Sequence, residues 1–403
     1  MDRLGSAIAG ARPRVVAALA ARLRDLDLAE DAFSEAAASA LAAWPSQAPR
    51  DPAAWLWRAA LRKALDARRR AAVRARAAPD WPEPPPTPED VLMAADGPIP
   101  DERLKLIFVC CHPALAADSR VALTLKVVCG LSTDRLARAF FVGEPAMLQR
   151  ITRAKHKIAA AGVPFEVPQP DAWPERLEAV LATLEVAYAQ AYEDAALAGQ
   201  AAGFAQDVLR LSGMLAELMP DEPEALGLAA LVRFAEARRP ARLDDRGAMV
   251  PPPEQDMALW RRDLIMEGAR LLGRAAGHGR SGPRQILATI HATHCARLET
   301  GRTDWATIAA LYEVLAEIRP HAPVLVNRAV AIGEAQGAGA GLAALGRIDG
   351  LEGWLPYQAA RAHLAARDGR PDDARRAYEA ALGLGPAPAE QLYLEAQRRS
   401  LPG

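Results

Sequence analysis

The sequence predicts an all-α protein of more than one domain, and three observations carry that expectation. Apolar residues recur at spacings of three and four through almost every periodic segment. Runs alternating Val, Ile, Thr or Tyr with polar residues are absent. Two proline-rich breakers divide the helical pattern into blocks. At 403 residues, with 51% hydrophobic content and a net charge of −1, the chain is long enough for two or three cores and fits a soluble globular protein.

The first block, residues 1–78, opens on "MDRLGSAIAGARPRVVAALAARL". Arg12, Arg14, Arg22 and Arg24 interrupt its apolar run before the roughly 18 residues a membrane span needs, so the expected address is cytoplasmic. Further on, "RDPAAWLWRAALRKALDARRR" reads as a helix that Asp51 caps, with Pro52 at the first helical position and Ala54, Trp57, Leu61 and Leu65 as the buried stripe. Trp55, Arg62, Asp66, Arg69 and Arg70 lie on another side. An aromatic among arginines suits an unstacked nucleic-acid strand as well as a phosphate backbone, and it equally suits a half-buried tryptophan among solubilising charges.

Residues 79–103 form an acidic linker, "PDWPEPPPTPEDVLMAADGPIPDER", whose eight prolines preclude regular helix. The next block, residues 104–162, ends on "LSTDRLARAFFVGEPAMLQRITRAKHKIAAAG". Ser132 or Thr133 can cap a first short helix, and Glu144 followed by Pro145 starts a second. On that second helix Met147, Ile151, Ala154 and Ile158 share one face, and Gln149, Arg150, Arg153, His156 and Lys157 fill another. With Leu136 and Phe140 packing across it, the pair reads as a helix-turn-helix, whose second helix enters the DNA major groove. Arg is suited to guanine edges or phosphates and Gln to adenine; a solvated basic face is the plainer alternative.

The charge distribution separates these blocks. Lys and Arg outnumber Asp and Glu by 14 to 8 in residues 1–78 and by 8 to 2 in 119–160, whereas the acids lead by 8 to 2 in 79–118 and by 32 to 25 in 161–403. Only the first part of the chain is therefore expected to meet a polyanion.

The remainder, residues 163–403, carries a weak internal repeat. Three segments align on Pro220, Pro320 and Pro386, and "GRPDDARRAYEAALGLGP" resembles the second helix of a tetratricopeptide repeat (TPR), with Ala374, Tyr378, Ala381 and Pro386 at its small, aromatic, small and proline positions. An ordinary bundle of helices with similar ends is the alternative. No phosphate-binding glycine loop or nucleophile elbow is present, so the chain is not expected to be an enzyme, and no cofactor is implied. Adjacent Cys110 and Cys111 before His112 lack metal-site spacing, and His291 and His294 in "TIHATH" lack an acidic partner at helical spacing, which favours packing roles for all of them.

The residues now carry a resemblance. "DLAEDAFSEAAASALAAWP" with "RDPAAWLWRAALRKALDARRR" resembles region 2 of the extracytoplasmic-function (ECF) sigma factors of the sigma-70 family. "LKLIFVCCHPALAADSRVALTLKVVCGLSTDRLARAFFVGEPAMLQRITRAKHKI" resembles their region 4. "LIFVCCHPAL", "RAKHKI", "PEQDMALWRRDLIMEGARLL", "DWATIAALYEVL" and "VLVNRAVA" point to the subgroup with a long TPR-like C-terminal extension. The resemblance implies two small sigma-type helical domains followed by a TPR-like helical domain, in a dissociable subunit whose partners are core RNA polymerase and promoter DNA.

By position, it implies that Asp31 and Glu35 face the polymerase clamp. It places Trp55, Arg62, Lys63, Asp66, Arg69 and Arg70 at the −10 element, and Gln149, Arg150, Arg153 and Lys157 at the −35 element. It further implies that the C-terminal domain adjusts activity through contacts within the chain or with another protein. Two departures stand out: Ser34 replaces a usual glutamine on an alanine-rich clamp helix, and "AYAQAYEDA" keeps only Tyr192 of an Asn-Glu-Gly-Tyr phrase. The competing reading is a stand-alone helix-turn-helix regulator with a sensing repeat domain, which predicts dimers and palindromic sites. A peptide-binding repeat scaffold is a third.

Overall fold

The structure is a computed structural model that describes residues 3–44, 49–75, 102–140, 142–168, 171–194 and 202–402. The acidic linker expected at 79–103 lies outside the described residues except for its last two positions. Among the described residues every regular element is helical, and one isolated antiparallel bridge joins Leu243 to Met249. No helix among them is long and apolar enough to cross a membrane. The chain divides into two compact units, Met1–Ala187 and Tyr188–Gly403.

In the first unit, α1 (Arg3–Leu23), α2 (Leu26–Ala43) and α3 (Pro52–Ala75) pack against one another. The buried side of α2 is made chiefly of Ala29, Ala32, Phe33, Ala36 and Ala40, and small side chains allow close approach of the helix axes. Asp25 caps α2 by accepting from the Leu28 amide at 3.0 Å, and Arg24, at φ +52°, turns the chain between α1 and α2. Asp51 caps α3 as expected, accepting from the Ala54 amide at 2.9 Å. Its buried stripe, however, is Leu56, Trp57, Ala60, Leu61 and Ala64, while Ala54 and Leu65 are only half-buried. Because α3 packs on both α1 and α2, its covered sector is wider than a single-partner stripe and is turned toward Leu56 and Ala60.

The same unit continues with α4 (Arg103–Cys110), α5 (Ala117–Val127), α6 (Thr133–Ala139) and α7 (Glu144–Ala160). Helix α4 carries five consecutive buried residues, Leu106 to Cys110, since α1 and α5 both pack on it. Helix α8 (Trp173–Asp194) adds to this core near its start: the Trp173 ring lies 5.5 Å from that of Phe108, and Arg176 donates to the Phe108 carbonyl at 2.8 Å. The first unit thus runs past residue 162, and the boundary between the units falls within α8.

The second unit contains α9 (Ala202–Leu218), α10 (Pro223–Arg238), α11 (Arg262–Ala276), α12 (Pro283–Cys295), the single turn α13 (Arg297–Thr300), α14 (Trp305–Ile318), α15 (Ala322–Gln336), α16 (Ala338–Leu345), α17 (Leu355–Arg367), α18 (Pro371–Gly383) and α19 (Pro388–Arg399). Helix α10 is buried on every face, with Glu224 alone outside the buried set, because α9, α11 and α12 all pack on it. From α14 onward each helix packs on the next. Pro220, Pro320 and Pro386 each stand just after one helix and just before another, so the aligned segments occupy equivalent helix–turn–helix corners. Ala374, Tyr378 and Ala381 are buried together with Ala362, Ala365 and Leu394 between α17, α18 and α19. The irregular segment after α10 ties distant parts of the unit together: the Met249 amide donates to the Ala389 carbonyl at 2.9 Å, and Arg297 donates to the Pro252 carbonyl at 3.2 Å.

Glycine sets the closest of these approaches. A Cβ on Gly227 of α10 would lie 2.9 Å from the Gln285 amide nitrogen and 3.1 Å from its Cα, so this face of α10 admits no side chain. Gly227→Ala is expected to lower stability by about 1–3 kcal/mol. Gly273→Ala, where nothing lies within 4 Å, should instead gain up to about 1 kcal/mol through helix propensity. Denaturant unfolding of both variants checks the pair, and equal midpoints would show that α10 and α12 do not meet as described.

Candidate nucleic-acid interface

Helix α7 separates its faces as its sequence period requires. Met147, Ile151, Ala154 and Ile158 are buried, while Gln149, Arg153, His156 and Lys157 are exposed. Gly143 precedes it as N-cap, and Pro145 sits in its first turn, where the missing amide needs no partner. Leu136 is buried and Phe140 half-buried, and α6 packs across α7, so the two helices form the expected helix-turn-helix. Arg150 is half-buried: its guanidinium lies 3.8 Å from the Asp118 carboxylate and 5.4 Å from the centre of the Phe140 ring. Arg153 folds back to donate to the Gln149 carbonyl at 3.3 Å. Both contacts are weak surface interactions that a stronger anion can replace.

Helix α3 presents Arg62, Asp66, Arg69 and Arg70 to solvent, and Arg70 donates to the Asp66 carbonyl at 3.3 Å. Trp55 is half-buried and stacks edge-on to buried Trp44, with ring centres 5.0 Å apart and planes at 70°. Part of this ring is therefore committed to packing and the remainder faces outward. Lys63 reaches back to Glu35 on α2, at 3.5 Å, so a residue expected at DNA and one expected at polymerase are neighbours. Asp31 and Glu35 are exposed on α2. Partial desolvation and the nearby Asp27, Glu30 and Glu35 carboxylates hold Asp31 above the ordinary carboxylate range, against the pull of Lys155.

The structure adds two residues that the sequence reading did not single out. Glu30, on α2, is almost fully buried; its Oε1 lies 2.6 Å from Arg12 Nη2 of α1, and its Oε2 lies 2.8 Å from Lys155 Nζ of α7. Lys155 also donates to Asp27 Oδ1 at 2.5 Å. Burial on its own would lower the Lys155 pKa, yet Glu30 and Asp27 raise it above the ordinary lysine value. Lys155 sits between the buried and exposed faces of α7, and that edge position was the only sequence signal available for it. A cleft of about 1050 Å³ opens beside these groups, with Arg22, Arg24 and Trp57 on one wall and Lys105, His156 and Phe165 on another.

The remaining titratable candidates serve the core. Cys110 and Cys111 are buried, and desolvation raises both thiol pKa values, so neither is poised as a thiolate ligand. His291 Nδ1 lies 2.9 Å from Arg238 Nη2, and His294 stacks edge-on to Trp305. Burial, then Arg238, pulls His294 down to about 3, which keeps it neutral. Among the described residues, no three His, Cys, Asp or Glu side chains gather as metal ligands would.

Comparison with known proteins places these elements. Residues 8–74, which hold most of α1, all of α2 and nearly all of α3, match sigma-70 region 2. Residues 176–276 match a family of unknown function, DUF6596. An uncharacterized protein of Rhizobium meliloti (strain 1021) is 39% identical over 406 residues, covering 97% of this chain and 94% of its own length. No solved structure matches.

Because Arg12 is largely covered where it meets Glu30, Glu30→Ala is expected to lower stability, by up to about 3 kcal/mol, by stranding a mostly desolvated cation. Glu30→Gln, which keeps the volume and one acceptor, should lose less. Urea midpoints of the two variants check this order, and a wild-type midpoint for the alanine variant would show that the ion pair contributes nothing.

Proposed function

The chain belongs to the sigma-70 family, and on that premise we propose that it is an ECF-type RNA polymerase sigma factor whose TPR-like C-terminal domain adjusts its activity. Sigma-70 factors are transcription factors that act on promoter DNA with core RNA polymerase, and region 2 is the part of this chain that carries that membership. In the proposed arrangement, residues 1–78 act at the −10 element, the acidic segment 79–103 threads the polymerase, residues 104–162 act at the −35 element, and residues 163–403 form the adjusting domain.

One observation supports the −35 role above the others: α7 buries its apolar stripe completely and leaves Gln149, Arg153 and Lys157 outward on the second helix of a helix-turn-helix. Arg150, held lightly by Asp118 and Phe140, completes that face. On α3, Arg62, Asp66, Arg69 and Arg70 form an outward face for a melted strand, with Lys63 and the free part of Trp55 at its edges. Asp31 and Glu35 offer carboxylates to the polymerase clamp. A stand-alone operator-binding regulator would use α7 in the same way, but gives the region 2 helices no task.

Five measurements test the proposal. Purified full-length chain should bind core RNA polymerase stoichiometrically in a pull-down, and operator binding without polymerase would favour the regulator instead. Arg153→Ala should weaken promoter binding by about 1–3 kcal/mol if the side chain reads a base, and weaken all sequences alike with a shallower salt slope if it holds phosphate. Unchanged transcription after replacing Gln149, Arg150 and Arg153 together would remove α7 from the site.

Charge reversal at exposed Arg69 and Arg70 should abolish permanganate-reactive promoter melting while leaving the fold intact. Melting that persisted would reduce those arginines to solubilising charges. The adjusting role is tested by truncation after Asp194, which keeps α8 and its Phe108 contacts whole; wild-type transcription and signal response in cells would discard it.

A further inference from the structure

Arg233 of α10 is 8% exposed, and only part of its guanidinium is used. Glu267 of α11 lies 2.8 Å from Arg233 Nε and balances its charge, while Nη1 donates to the Ala229 carbonyl at 3.0 Å. The Glu267 oxygen stands out of line with the Nε donor, which makes no hydrogen bond, and among the described residues Nη2 makes none either. Buried donors left over in this way are rare, because each has given up its hydration without a replacement. Gly213 of α9 keeps the space in front of Nη2 clear, since a Cβ there would stand 2.8 Å from that nitrogen.

The guanidinium borders a cavity of about 280 Å³ formed by α9, α10 and α11. Arg270 and Arg274, one turn apart on α11, line it as well, together with Glu217 and Glu267. Arg270 donates to the Met266 carbonyl of its own helix at 3.4 Å, and among the described residues neither of these two arginines pairs with a carboxylate. Three guanidinium groups against two carboxylates leave the cavity cationic. Every lining residue falls within 176–276, the stretch that matches a family of unknown function.

We propose that this cavity binds a small oxyanion, the phosphate or carboxylate group of a metabolite, with Arg233 as the fixed donor and Arg270 and Arg274 closing on it from the rim. Arginine suits the task because its planar fork offers parallel donors to two oxygens of one group, whereas a lysine offers a point charge. The volume lies at the lower end of the range of about 300–1,000 Å³ usual for ligand pockets, which fits a small molecule rather than a polymer. Glu217 and Glu267 narrow the class further: they repel a ligand that is anionic throughout and accept hydroxyl or ammonium groups beside the anionic end. The assignment does not rest on the sigma-factor reading, because the cavity lies wholly within the second unit.

The test titrates the full chain with inorganic phosphate at constant ionic strength and reads binding from the NMR broadening of the phosphate phosphorus resonance. Saturable binding is expected, weakened about tenfold by Arg270→Gln and by Arg274→Gln, as loss of a hydrogen bond to a charged group requires. Both residues are exposed, so the fold is kept. Arg262→Gln, on the same helix but outside the cavity, should leave binding unchanged. Gly213→Ala should weaken it by displacing the Arg233 head, an effect that a loose cluster of surface arginines would not show. Competition by glycerol phosphate and by lactate then tells a phosphate-ester ligand from a carboxylate one. Absence of saturable binding for all three probes, an equal loss in Arg262→Gln, or wild-type affinity in either Arg274→Gln or Gly213→Ala overturns the proposal.

Discussion

A carboxylate buried at Glu30 is the constraint on which the first unit depends. Away from water an ionised carboxylate is tolerable only when paired, and its two oxygens are taken by cations from two other helices, Arg12 of α1 and Lys155 of α7. Arg12 extends the same joint, for its guanidinium also donates to the Lys126 carbonyl at 3.4 Å, and Gly130 has no room for a Cβ because the Arg12 side chain fills that space. Three helices that share no local sequence are thereby fixed at one point, and the exposed face of α7 acquires a defined position relative to α3.

Around that point the chain divides its charge by face. Helices α2, α3 and α7 pack chiefly through alanine, leucine, isoleucine and tryptophan and, Glu30 and Lys155 apart, place most of their arginines, lysines and acids outward. In the second unit α10 has no outward face at all, and its Arg233, Glu236 and Arg238 are satisfied inside: Arg233 by Glu267 at 2.8 Å, Glu236 by Arg239 at 2.7 Å, and Arg238 by His291. The contrast follows from the number of neighbours. A helix with two packing partners keeps a free sector that can carry function, whereas one covered by three uses its polar groups to hold the core together.

Much of this was legible beforehand. Period and capping residues determine a helix locally, so the stripe of α7, the Asp51 cap, the Pro52 start and the corners at Pro220, Pro320 and Pro386 could all be read directly. The stripe of α3 was misread at its edges, where Leu56 and Ala64 are buried in place of Ala54 and Leu65, because a period shows which residues share a face but not how many neighbours cover it. Trp55 showed the same limit. Its indole could be assigned to an outward face, yet the edge-on contact with Trp44 arises only where the end of α2 meets the start of α3.

By itself the sequence determined the helical class, the separation of basic and acidic blocks, the helix-turn-helix and the outward residues of its second helix, since all of these follow from spacings of a few residues. Tertiary structure alone decided what Lys155 and Glu30 do. Lys155 meets Asp27 across 128 positions of chain, and a lysine at the edge of an amphipathic helix carries no local mark of the carboxylate it will find. It also decided that α8 closes over Phe108 and that Gly227 lies under the Gln285 backbone. The physical reason is the same each time: dihedral preferences and hydrophobic period act over one or two turns, while desolvated charge and steric fit belong to whichever surfaces the folded chain brings together.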